Sequence, residues 1–219
     1  MLGHYVLRFL VGLLIVLAWP NTAGAQKQIE HQQLIWFGYS NTLQFHEHWW
    51  VVTEFQERRF MQHFKPNQTL IRTHLHRNLG SGWDVAAGMC LFLQSPNDPE
   101  STTSLVVPEL RPHLEFNLRQ KLSALTIDHR YKIEARFFHH TDPAHTALEE
   151  GYDFGNFRVR YRLQVALPVV KFSAERALKL KVGDEILFNI GHEVVHNFFD
   201  QNRLSAGVSV DILPDLTFE

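Results

Sequence analysis

The chain has 219 residues, 45% hydrophobic and 20% charged, with a formal net charge of −2. That size suits one medium domain, and a near-neutral charge gives no electrostatic case for nucleic acid as a partner. One cysteine, Cys90, excludes an internal disulfide.

Residues 1–25 read as a secretory signal peptide. His4 and Arg8 precede an apolar run from Phe9 to Trp19, and Ala23-Gly24-Ala25 is a small-x-small cleavage site. The run is shorter than the ~20 residues of a spanning helix, and no later apolar stretch is long enough. Residues 26–219 are read as a single β domain, and the same leader admits a soluble periplasmic protein.

The mature sequence is a succession of segments with period-2 alternation. They run Leu34–Phe45, Trp49–Phe60, Thr69–Leu79, Trp83–Leu93, Pro112–Lys121 (with Glu109 as an earlier start), Leu125–Phe138, Phe157–Leu167, Leu178–Ile190 and Arg203–Ile212. Asp215 to Glu219 read as the start of a tenth. In the third segment Thr69, Ile71, Thr73 and Leu75 oppose Arg72, His74 and His76. In the sixth, Ile127, Tyr131, Ile133, Ala135 and Phe137 oppose Asp128, Arg130, Lys132, Glu134 and Arg136. In the eighth, Asp184 falls on the apolar face, which predicts a bulge near Gly183. Short links follow the first, third and fifth segments and longer ones the second, fourth and sixth. A meander with short turns at one rim and long loops at the other is the pattern of an antiparallel transmembrane up-and-down β-barrel of about ten strands.

A soluble barrel keeps apolar side chains inside, and a membrane barrel inverts this. The leader favours inversion. So does an Arg-rich polar face of mixed sign, because guanidinium suits enclosed bidentate pairing with carboxylates. Trp36, Trp49, Trp50, Trp83, Phe137 and Phe157 lie near segment ends, where interfacial girdles fall. The expected lumen charge network is Glu54, Arg58, Arg72, Glu115, Arg119, Arg130, Glu134, Arg136, Arg158, Arg160, Arg162, Glu185 and Arg203.

An ordered set of short motifs goes further. Trp36, Glu54-x-Gln56-x-Arg58, Glu109-x-Arg111, Asp128-His129-Arg130-Tyr131-Lys132-Ile133-Glu134-Ala135-Arg136-Phe137, Arg158-x-Arg160-Tyr161-Arg162, Gly183-Asp184-Glu185 and Phe199-Asp200-Gln201-Asn202-Arg203 follow one another. In that order they resemble the bacterial domain-of-unknown-function family 2490. The resemblance implies an outer-membrane-type barrel of a Gram-negative bacterium, in contact with outer-membrane lipid, and supplies no activity. If both termini are periplasmic, the first connection should be long; it is short, so either the segment Gln26–Gln33 threads unusually or the long loops face the periplasm.

His192-Glu193-Val194-Val195-His196 matches H-E-x-x-H, the zinc-hydrolase pattern of two imidazoles on one helix face. Here it follows a strand end, no His comes after it, and the only later Glu is Glu219. A loop match in a His-rich chain is therefore preferred, and no catalytic residue, metal or cofactor is assigned. His46-Glu47-His48 and His139-His140 with His145 read as polar rim residues. The function expected is an outer-membrane barrel of undefined activity, with three forms left open: a narrow pore, a polar cavity for a small polar or anionic solute, or a structural or surface-interaction protein with an ion-paired lumen. The rivals are a soluble periplasmic binding barrel and a zinc hydrolase.

Overall fold

A computed structural model describes residues 31–123, 125–173, 176–192, 194 and 198–219. The proposed leader lies outside the described residues. The fold is that of the compact unit Gln33–Glu219.

Ten strands form one antiparallel sheet in sequence order. They are β1 (Leu34–His46), β2 (Trp49–Phe60), β3 (Pro66–Gly80), β4 (Trp83–Gln94), β5 (Val107–Lys121), β6 (Thr126–Thr141), β7 (Leu148–Lys171), β8 (Ala177–Ile190), β9 (Phe199–Leu213) and β10 (Leu216–Phe218). The sheet curls into a half-barrel. Its edges, β1 and β10, are not hydrogen-bonded to each other, but Arg203 of β9 reaches to 5.9 Å from the ring of Trp36 on β1.

Period-2 patterning gives the curled sheet two chemically distinct faces. Most strands present charged or polar residues to the concave face and apolar residues to the convex face, while β4 turns Ala86, Cys90 and Phe92 inward. On β3, Leu70, Arg72, His74 and His76 are buried, while Ile71, Thr73 and Leu75 are exposed. On β5, Glu109, Arg111, His113 and Glu115 are buried, while Leu114 and Phe116 are exposed. Leu114 is 57% exposed, and Glu115, next to it in sequence, is 3% exposed.

The turns β1–β2 and β3–β4 occupy only residues 47–48 and 81–82. Ser81 and Gly82 both have positive φ, at 52° and 83°, the mirror-image geometry that matches strand twist in tight hairpins. At the opposite rim, residues 95–106, 142–147 and 191–198 form longer connections. The start of β1 lies at this long-connection rim.

Three expectations are corrected. There is no bulge at Gly183, because β8 keeps continuous register with β7 and β9 through Gly183, Asp184 and Glu185. Asp184 instead points outward, opposite Leu163 and Leu204. Strand β7 runs 24 residues and starts well before Phe157, because Leu148–Phe154 pair with the far end of β6 in a projecting hairpin. Trp36 and Trp50 do not belong to an outer girdle. Trp36 carries the Arg58 guanidinium at 4.0 Å, and Trp50 stacks on His76 at 4.9 Å, both on the concave side.

Candidate functional site: the charged concave face

The concave face is filled at the long-connection half and open at the short-turn half. In the filled half, Glu109 is clamped by two arginines. Arg111 donates through Nε and Nη2 at 2.6 and 2.7 Å, and Arg136 through the same atoms at 2.6 and 3.2 Å. The Arg111 guanidinium lies 3.6 Å over the Phe92 ring, a cation–π contact. Phe60, Leu70, Cys90, Phe92 and Leu187 bury apolar volume around these charges. Arg158 donates to Asn189 at 3.2 Å and pairs with Asp200 at 3.1 Å.

At mid-height the charges alternate across strands. Arg160 bridges Glu134 at 3.3 Å and both oxygens of Glu185 at 2.9 Å. Arg130 reaches Glu185 at 2.7 Å, and Arg203 lies 3.9 Å from the same carboxylate. Lys132 sits between Glu115 at 3.0 Å and Glu134 at 3.2 Å. Arg72 donates to Glu54 at 2.6 Å. Burial at this level is tolerable only because the charges are paired, since an isolated buried charge costs several kcal/mol.

Above this layer a cavity of about 1220 Å³ opens at the short-turn rim, lined among others by Trp50, Glu54, His76, Asp84, Arg130 and Arg162. Arg130 and Arg162 are register partners, an arrangement of like charges that is destabilising by itself. The Nε atoms of both make no hydrogen bond. Arg119 and Asp128 pair at 2.6 Å near the rim, with the Arg119 side chain 62% exposed.

One smaller cluster lies at the cavity floor. His74 Nδ1 is 3.7 Å and His113 Nε2 is 3.9 Å from Glu115 Oε1. His74 Nε2 faces Glu54 at 3.3 Å. Gly88 of β4 lets β3 approach closely at this level, because a Cβ there would lie 2.6 Å from His74 Cβ and 2.3 Å from Thr73 O.

The expected network residues thus fall into three sets. Glu54 and Arg72 meet, as do Arg130, Glu134, Arg160, Glu185 and Arg203, with Glu115 joined to Glu134 through Lys132. Arg58, Arg136 and Arg158 lie in the filled half. Arg119 and Arg162 face the cavity. Sequence reasoning did not single out Glu109, Arg111, Lys132, Asp200, His74 or His113 as site residues. Strand parity was the available signal for most of them, and Pro112, which supplies no ladder N–H, obscured the start of β5.

Of the H-E-x-x-H segment, His192 is exposed in the turn after β8, while Glu193 and His196 lie outside the described residues. The rim histidines are locally engaged: His140 Nδ1 with the Glu150 carbonyl at 2.7 Å and His145 with Thr141 at 2.9 Å. No described helix is long and apolar enough to cross a membrane, which says nothing of strands.

The profile of the family described as protein of unknown function (DUF2490) matches residues 33–219. No curated protein and no solved structure matches the chain.

Proposed function

We propose that this chain, which belongs to the DUF2490 family, is an outer-membrane β-barrel protein, exported by its leader and cleaved near Ala25, with an ion-paired interior that does not conduct. The observation that carries this reading is the inversion of the faces. Outward side chains such as Phe55, Ile71, Leu114, Phe116, Ile133, Val182 and Leu204 are exposed, while Glu109, Glu134 and Lys132 are buried. In water that arrangement wastes the hydrophobic effect, and in a bilayer it uses it. Outward aromatics support the same reading: Trp83 packs on Phe116, and Phe137 and Phe157 both pack on Phe154. The reading requires the β1 and β10 edges to be satisfied in the membrane, because unpaired backbone groups are not tolerated in hydrocarbon.

The Glu109 clamp and the apolar side chains around it support a closed barrel over a narrow pore. The role is then structural or surface-interacting. A second reading has its own observation: Arg130 and Arg162, register partners of like charge, both line the open cavity, which suits a small anionic solute.

The test is fractionation followed by electrophoresis of unboiled and boiled samples, then planar-bilayer recording. Outer-membrane protein that shifts in mobility on boiling, without discrete conductance steps, is the expected result. A soluble periplasmic protein with no shift overturns the reading, and discrete conductance steps overturn its closed form.

A further inference from the structure

We propose that His74, His113 and Glu115 form a binding site for a divalent transition metal, with zinc the ion that fits the donor set. The three ligand atoms lie within 4.8 Å of one another and all three residues are buried. They come from adjacent inward positions of β5 and from β3, two strands away across the curl, so the sheet itself fixes their spacing. Two imidazole nitrogens and one carboxylate oxygen are a recurrent zinc set with a fourth position left open. A tetrahedral zinc needs its ligand atoms about 3.4 Å apart, given bonds of roughly 2.0–2.1 Å. The separations of 3.7 and 3.9 Å from Glu115 Oε1, with all three atoms within 4.8 Å of one another, close to that by side-chain rotation.

One hydrogen bond, at His113, and one nearby carboxylate, at His74, favour the tautomers that turn lone pairs to the cluster. His113 Nδ1 faces the Arg111 carbonyl oxygen at 3.3 Å. A carbonyl only accepts, so Nδ1 carries the proton and Nε2 presents its lone pair to the cluster. His74 Nε2 lies 3.3 Å from the Glu54 carboxylate, short of an aligned hydrogen bond; a proton on Nε2, turned toward that carboxylate, would leave the Nδ1 lone pair for a metal. Carboxylate or carbonyl partners on the distal nitrogen are what metal-bound histidines use. His113 Nε2 and both nitrogens of His74 are buried without a hydrogen-bond partner, while Glu115 Oε1 is held by the Lys132 ammonium at 3.0 Å. The His113 side chain is 0% exposed, so bulk solvent does not satisfy Nε2.

His74, Glu54 and Glu115 line the cavity that opens at the short-turn rim, and this is the entry path. Lys132 competes: its ammonium lies 3.0 Å from Glu115 Oε1. It also lies 3.2 Å from Glu134, which retains it when a metal takes Glu115. The proposal does not depend on membrane insertion.

The experiment uses the full chain, folded in detergent and stripped with a chelator. Co²⁺ is titrated while visible absorption is followed, then displaced with Zn²⁺. One equivalent of Co²⁺ per chain is expected, lost in His113→Ala and in His74→Ala and weakened about 10- to 100-fold in Glu54→Gln. Lys132→Met is expected to tighten binding at least about tenfold, because a cation next to the ion is removed. His192→Ala is expected to change nothing. A folded wild-type chain that binds no Co²⁺ or Zn²⁺ overturns the proposal. So does binding that survives His113→Ala and is lost in His192→Ala. Should the histidine variants fail to fold, the Lys132→Met titration decides alone, and unchanged or weaker binding overturns the site.

Discussion

Arg160 Nη2 lies 2.9 Å from each carboxylate oxygen of Glu185, and that carboxylate also takes Arg130 at 2.7 Å. Glu185→Gln keeps the shape and removes the charge that several guanidiniums share. A loss of about 3–5 kcal/mol of stability is expected, since breaking a buried pair strands its partners. The paired change Arg160→Met with Glu185→Leu is expected to cost less than the two single changes summed. The rim pair Arg119–Asp128, with Arg119 largely exposed, provides the contrast: Arg119→Ala is expected to cost less than about 1 kcal/mol. Urea titrations of the folded band in detergent measure all of these.

Leu114 sits at the middle of β5 on the convex face and is 57% exposed. If lipid covers that face, Leu114→Arg costs about 2–4 kcal/mol at the bilayer midplane. On a water-facing strand the same change is nearly neutral. The yield of folded protein in lipid vesicles separates the two, and an unchanged yield counts against the membrane reading.

Asp184 is an outward-facing acid opposite Leu163 and Leu204, and its Oδ1 is buried without a hydrogen-bond partner. Leaving such an atom unsatisfied costs about 1–3 kcal/mol. Asp184→Leu is therefore expected to stabilise the fold, seen as a higher urea midpoint. A lower midpoint would mean that the carboxylate serves a partner.

Asp142, in the β6–β7 connection, accepts from the Thr146 and Ala147 amides at 2.7 Å each and from the Thr146 hydroxyl at 2.8 Å. Those bonds, the Ala147 amide foremost, hold its carboxyl below the usual Asp range. A depressed folded value means that loop order is present above the ordinary Asp range and lost as pH falls through and below it. Protection of the Thr146 and Ala147 amides against hydrogen exchange, taken relative to the intrinsic rate at each pH, should fall at acid pH in the native chain. In Asp142→Asn that acid dependence should disappear.

The sheet was largely legible because one rule, alternation, sets the strand and its two faces together. Trp49–Phe60 is recovered to the residue. The misses have separate physical causes. Residues Leu148–Asn156 alternate poorly because their hairpin projects beyond the rim and both its faces are largely exposed, so no burial selects a pattern. Asp184 breaks the alternation in composition and not in geometry. The pairing inside the concave face was legible only as a set: parity shows which charges face inward, while the partner of each depends on curvature across non-adjacent strands. The His74–His113–Glu115 cluster escaped for the same reason, since β4 separates its two strands.

A carboxylate shared by several guanidiniums also constrains how such a sequence drifts. An exposed pair can lose one member and restore it generations later, because the intermediate is nearly as fit. Around Glu185 the intermediate takes a shared partner from Arg130, Arg160 and Arg203 together, so neutral single steps are closed. Charge at these positions should be inherited as a block or exchanged in compensating pairs, and covariation between the Glu185 column and the arginine columns should exceed that of any outward-facing position.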